Sequence, residues 1–429
     1  MGEFIGYRCS KCGHEYTEGE VTYTCPQDGA NLDVTLPYDK IKSENSIQGI
    51  EASRDGSIWR YLPLLPVQDP GHHGTPLRAV GWTPTFQLDQ HAERFGLKQL
   101  WLKDDGRNPT ASFKDRASAV AVARAQAIGV DVIVTASTGN AGAALAGMAA
   151  AAKMPAVILA PKTAPPAKVA QLLIFGARVV LVDGTYDDAF DLTLEASEAF
   201  GWYCRNTGYN PFTAEGKKTA SFEICEQVTQ LRGGRGDSPT WDRPDAIFVS
   251  VGDGNIISGL YKGFFDLHQL GWITSMPRIY GVQSEGSAAI YNAYIAGDDE
   301  IKPVHANTIA DSISVDLPRD GWRALQAARR SGGAYLAVSD EAILKAIEIL
   351  GREVAVFAEP AGATAYAGLL VALDMDLLES QDSVLVLNTG NGLKDIKAAR
   401  EAAGEATVIE PSLDALRSLR ESWGSSGKG

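Results

Sequence analysis

The sequence predicts an α/β protein with open parallel sheets in two lobes, preceded by a small ribbon-like unit. Three observations carry this. Short apolar runs, "DVIVTA" (131–136), "PAVILA", "ARVVLVD", "DAIFVSV", "RIYGVQS" and "SVLVLN", alternate with segments of helical character. These runs are largely apolar instead of alternating, which suits strands buried on both faces and joined by right-handed crossovers. Ahead of them, three of the five cysteines fall within the first 25 positions, in a unit with little core of its own.

Residues 1–36 form that unit. Cys9-x2-Cys12 is answered by Cys25 and Asp28, so that "CSKCG" and "CPQDG" have the shape of two zinc knuckles. Either Asp28 or His14 can supply the fourth ligand. Residues 37–98 read as an irregular arm and the start of the larger lobe, with His72 and His73 as polar surface. From 99 onward strand and helix alternate to about 410, with a smaller lobe of about 118–205 inserted in the larger one. Within this region "LKQLWLKDD" reads as a strand and 112–128 as a helix. Ser112 is its expected cap, Asp115 sits at the box position and Gly129 ends it. Further helices are expected at 167–175, 187–200 and 214–231. Asp187 and Asp188 read as capping residues, Cys204 and Cys225 as core. Residues 411–429 read as a C-terminal helix and a flexible tail.

Composition narrows the function. The 429 residues include 39 basic and 53 acidic side chains, a formal charge of -14. Such a surface repels phosphate backbones and anionic membranes, so neither nucleic acid nor a membrane is expected as a partner. No apolar run approaches the ~20 residues of a membrane helix. The N-terminus lacks the apolar core of a signal peptide, and the cysteines form no disulfide framework, which makes the cytoplasm the expected address.

Four loops have the composition of a ligand site, and in open α/β sheets ligands sit beyond the carboxyl ends of strands. "NPTASFKDRAS" puts Lys114 in a helix's first turn, where the dipole favours a neutral amine, the form a Schiff-base lysine needs. "ASTGNAG" offers Ser137, Thr138 and Asn140 at a helix start. "VSVGDGNIISG" places Gly252, Asp253, Gly254, Asn255 and Ile256 between strand and helix, a turn whose N–H groups cradle a phosphate without lysine or arginine. "LNTGNGLKD" ends a strand at Thr389, whose hydroxyl can meet a ring nitrogen. An imine-forming lysine, a polar loop, a phosphate cradle and a hydroxyl for a heterocycle together describe pyridoxal 5'-phosphate.

The same stretches resemble the fold-type-II pyridoxal-phosphate enzymes, and the threonine synthases in particular. "NPTASFKDR" is similar to that family's lysine motif, "ASTGN" to its ring-contacting loop and "NTGNGLKD" to its C-terminal TGHGLKD; "GTPL" and "EPAGAT" fit as well. The resemblance implies that Lys114 holds the cofactor, Asn140 bonds its 3'-oxygen, residues 252–256 bind its phosphate and Thr389 faces its pyridine nitrogen. It also implies substrate contacts from Ser137, Thr138, Thr207 and Asn210, a small amino-acid substrate, and a homodimer. The implied reaction turns O-phosphohomoserine and water into L-threonine and phosphate. Three departures stand out. The phosphate loop is a residue shorter than the family's, Asn391 replaces a histidine, and Thr213 stands where the family carries a phosphate-binding arginine. Lys217, Lys218 and Lys162 are the nearby cations that could take its place. The alternative is a relative that eliminates ammonia from, or replaces a β-substituent of, serine, threonine, phosphoserine or diaminopropionate.

Overall fold

The computed structural model describes residues 4–426. The expected ribbon is a three-stranded antiparallel sheet of β1 (Gly6–Cys9), β2 (Glu15–Thr17) and β3 (Leu32–Thr35), in the order β2-β1-β3. A short β4 (Thr85–Gln87) precedes β5 (Gln99–Asp104). Then come β6 (Ile133–Ala136), β7 (Ala156–Pro161), β8 (Arg178–Val182), β9 (Tyr203–Cys204), β10 (Ala246–Ser250), β11 (Arg278–Ser284), β12 (Tyr335–Val338) and β13 (Ser383–Asn388).

These ten strands make two sheets. The larger has the order β12-β11-β10-β13-β5-β4 and the smaller β8-β7-β6-β9. Every pairing in both is parallel except that of β4, which runs antiparallel to β5 at the edge. Helices bury the faces, so β10 and β13 are buried along their whole length, as their unbroken apolar character requires. The smaller sheet lies in sequence between β5 and β10, and the polypeptide therefore leaves the large lobe and returns to it.

Several local expectations are corrected. Ser112 does not cap the lysine's helix, which spans Lys114–Ala127 after Phe113, and the Ser112 hydroxyl is buried without a partner. The reason is tertiary. The Phe113 N–H donates to the Thr389 carbonyl at 2.9 Å, and Ser112 bridges to Gly390, so this segment pairs with the loop after β13. Asp115 turns back to accept from the Thr110 N–H (2.6 Å) and hydroxyl instead of completing a capping box. A box does form at the Tyr186–Phe200 helix, where Thr185 and Asp188 bond reciprocally; Asp187 instead pairs with Arg319 at 2.7 Å.

The span read as 214–231 is two helices, Pro211–Lys217 and Thr219–Leu231. Lys218 sits at the break, fully buried, with its ammonium on Glu215 and on Asp266 (2.8 Å). Cys204 lies in a strand, as its surroundings suggest, whereas β4 and β12 have no counterpart among the expected strands. These two are three and four residues long, too short to show a period. At the C-terminus Leu413–Ser426 is helical. The rest of the expected tail, 427–429, lies outside the described residues, as does the start of the N-terminal unit.

Candidate active site

The carboxyl ends of strands from both sheets face one cavity of about 1000 Å³. Lys114, Ser137, Thr138, Asn140, Thr207, residues 252–256 and Thr389 all line it. Loops far apart in sequence thus meet where the topology predicts a ligand. Asn210 is not brought there. It is buried in capping the Pro211–Lys217 helix, accepting from the Phe212 N–H at 2.9 Å and donating to the Cys204 carbonyl at 2.7 Å.

Lys114 opens its helix with its side chain enclosed and its surface partly open to the cavity. Burial brings its ammonium down to about 8, partly offset by Asp253. An amine so placed is neutral far more readily than an exposed lysine.

The turn after β10 needs its glycines. A Cβ on Gly252 would lie 2.8 Å from the Ile313 Cα, and Gly254 has φ +90 with a Cβ position 2.6 Å from the Asp320 carbonyl. Asn255 then begins the Asn255–Gln269 helix. Its amide donates to Asp320 at 2.6 Å, while its carbonyl oxygen accepts from the Thr213 hydroxyl (3.1 Å) and the Lys217 ammonium. Asp320 is held in turn by Arg323 at 2.6 and 2.7 Å. Burial, chiefly, drives the Lys217 ammonium well below its ordinary value, with Lys114 and Arg205 adding to the effect.

Two further side chains matter here. Glu359 lines the cavity and accepts from the Asn140 amide at 2.7 Å; burial pushes its carboxyl up to about 7. A Cβ on Gly390 would come within 2.1 Å of a Glu359 oxygen, so a side chain there would displace that carboxyl. The hydroxyls of Thr389 and Ser250, also in the cavity wall, lie 3.3 Å apart. Glu359 and Ser250 are site residues that motif reading did not assign, and Lys217, expected only as a stand-in for the missing arginine, turns to Asn255. Only Glu359 had a signal, the "EPAGAT" run.

This arrangement suits pyridoxal 5'-phosphate. It has a lysine biased towards its neutral form, a glycine turn opening a helix for an anion, a buried lysine with only a neutral amide as hydrogen-bond partner, and hydroxyls for a ring nitrogen. At the other end of the chain, Cys9, Cys12, Cys25 and Asp28 converge, with their ligand atoms within 4.8 Å of one another. His14 is outside this group and stacks against Tyr16.

Known proteins bear on this geometry. The family model "Pyridoxal-phosphate dependent enzyme" matches residues 77–390. The chain is 36% identical over 414 residues to threonine synthase of Methanocaldococcus jannaschii, spanning 96% of this chain and 98% of the relative. The chain belongs to the threonine synthase family. It is a pyridoxal-phosphate-dependent lyase, and other members of this family include threonine synthase of Methanosarcina acetivorans, 37% identical over 96% of this chain and 97% of its own. Among solved structures, Escherichia coli diaminopropionate ammonia lyase superposes with a TM-score of 0.62 over 75% of this chain and 87% of its own, at 22% identity. Tomato (Solanum lycopersicum) threonine deaminase gives 0.61 over 78% and 86%, also at 22%. Both establish the shared fold. Among the described residues no helix is long and apolar enough to cross a membrane.

Proposed function

We propose that this enzyme converts O-phosphohomoserine and water to L-threonine and phosphate. The observation that carries this is Lys114, its pKa lowered by burial to about 8 at the head of its helix, facing a cavity ringed by the four loops. Lys114, Asn140, residues 252–256, Lys217 and Thr389 would hold the cofactor. Pyridoxal 5'-phosphate, when bound, supplies the electron sink that makes the substrate's Cα proton removable. Lys114 Nζ takes that proton and later moves a proton at Cβ, which its tether keeps within reach. Ser137, Thr138 and Thr207 contact the amino-acid substrate, and Asn210 supports the wall behind them. Glu359, near neutral and bonded to the Asn140 amide, fixes that amide's orientation. Thr389 offers a hydroxyl and no carboxylate, leaving a facing ring nitrogen unprotonated.

The N-terminal unit binds zinc through three thiolates and Asp28. The support is the donor set and its convergence, which matches tetrahedral coordination better than a small apolar core. The unit spans 1–36, an arm 37–98, the catalytic region 99–410 and the C-terminal helix and tail 411–429. A homodimer in the cytoplasm, with no nucleic acid or membrane partner, fits the family likeness and the acidic surface.

The test is product analysis. Purified enzyme given O-phosphohomoserine should release phosphate and threonine in equal amounts. Ammonia and a 2-oxo acid from serine or threonine, with no threonine from the phosphorylated substrate, would point to the eliminating alternative.

A further inference from the structure

Arg205 is fully buried, and no carboxylate pairs with it among the described residues. Its Nε donates to the Ser118 hydroxyl at 3.1 Å and its Nη1 to the Thr207 hydroxyl at 2.6 Å, while its Nη2 is buried with no partner. The next residue repeats the pattern. Asn206 spends its carbonyl oxygen on the Ala136 N–H (2.8 Å) and the Thr135 hydroxyl (3.0 Å), and its Nδ2 is buried and unpartnered.

These two anchors locate the guanidinium. Ser118 lies one helical turn beyond Lys114, on the same face of the helix. Thr207 lines the cavity. Arg205 is thus bracketed between the lysine's own helix and the cavity wall. A buried guanidinium that lacks a counter-ion is costly, and unused N–H groups add to the cost. Burial lowers its pKa to about 10, and its charge in turn acts on Lys114 and Lys217. Asp115 and Asp253 oppose that shift from a distance, but neither bonds the guanidinium. Among the described residues Arg205 thus has no bonded carboxylate and keeps an unfilled donor, which a ligand anion would satisfy.

Position 213 cannot supply this contact. The Thr213 hydroxyl is committed to the Asn210 carbonyl (2.7 Å) and to Asn255 (3.1 Å), and Lys217 likewise turns to Asn255 beside the cradle. Lys218 is neutralised by Glu215 and Asp266, and Lys162 is exposed on Asp183. Arg319 lines the cavity but turns its Nη2 to Asp187 at 2.7 Å, while Arg205, behind the wall beside Thr207, keeps a buried unused donor on a fork suited to a phosphoryl group.

We propose that Arg205, with the Thr207 hydroxyl, binds the phosphoryl group of the substrate, taking over the role of a guanidinium at position 213. This rests on the reading of O-phosphohomoserine as substrate. The experiment compares wild-type holoenzyme with Arg205→Met and Arg205→Lys, reading kcat and KM for O-phosphohomoserine, competitive inhibition by inorganic phosphate, and bound cofactor per protomer. Loss of a buried charge-assisted contact should lower kcat/KM for Arg205→Met by about 100-fold and weaken phosphate inhibition by at least about 10-fold. Cofactor content should hold, and Arg205→Lys should recover part of the loss. Unchanged KM and phosphate inhibition in Arg205→Met would overturn the assignment. So would loss of cofactor at unchanged phosphate inhibition, since the guanidinium would then serve the cofactor. Should Arg205→Met fail to fold, Arg205→Lys and Thr207→Val decide on the same readouts, and wild-type values in both would overturn it. If the wild type does not turn over O-phosphohomoserine, the proposed function fails, while phosphate inhibition still reports on Arg205.

Discussion

At the scale of single residues, the chemistry depends on what burial does to charge. Lys114 and Arg116 are two positions apart on one helix and meet opposite fates. Arg116 is fully buried but bonds Asp105 (2.6 and 3.0 Å) and Glu223 (2.6 and 2.7 Å), and that attraction keeps it charged. Burial pushes Glu223 up, yet Arg116 and Lys103 hold its carboxyl down at about 2. This network clamps the helix and leaves Lys114 as the group without a carboxylate bonded to it. A pH prediction follows from the sign of the lysine's shift. Its neutral, nucleophilic fraction grows as pH rises through about 8, well below the ordinary 10.5. Apoprotein should therefore take up pyridoxal 5'-phosphate faster with rising pH, with a midpoint near 8 in stopped-flow absorbance. A midpoint at the ordinary lysine value would remove the claim that burial tunes this amine.

At the scale of elements, the site depends on how closely helices approach. The Pro211–Lys217 helix packs on the lysine's helix through Gly216, where a Cβ would lie 2.1 Å from the Arg116 carbonyl oxygen and 2.8 Å from the Ala117 Cα. Both contacts are backbone, so no side chain can swing aside. Gly216→Ala should force the helices apart, cost about 1–3 kcal/mol or more, and lower the thermal midpoint of the holoenzyme. A midpoint within a degree of wild type would show that the two helices are not packed this closely. Elements also explain where local reading stopped. The four ligand loops were legible because each concentrates glycine with small polar residues after an apolar strand. Ser112 does not cap because the decisive bond, from the Phe113 N–H to the Thr389 carbonyl, joins residues far apart in the chain. The break at Lys218 was invisible because its cause is a buried pairing with Asp266 on another helix.

At the scale of the whole molecule, the ribbon is tied to the catalytic body. Arg323 bonds the Leu32 carbonyl (3.1 Å) and Asp33 (2.8 Å) on β3, and on its other side Asp320, which holds Asn255. The Trp322 indole N–H donates to the Ser10 carbonyl at 3.1 Å, and the Asn31 amide donates to the Gly208 carbonyl. The N-terminal unit therefore braces Asn255, the residue that begins the helix after the glycine turn. Arg323→Met should strand Asp320 as a buried carboxylate, release Asn255 and weaken cofactor binding about 10-fold. A fluorescence titration of apoprotein with pyridoxal 5'-phosphate measures this. An unchanged dissociation constant in a folded variant would show that the brace is dispensable.

The sequence alone determined the α/β class, the parallel character of the sheets, and the lysine and most of the loops that line the cavity. These follow from local composition and period, which act over a few residues. Only the tertiary structure decided that Glu359 faces Asn140, that Asn210 is a cap outside the cavity, and that Arg205 is buried without a counter-ion. Burial and pairing are properties of neighbours brought together by the fold, and the charge state of a side chain depends on those neighbours more than on its own identity.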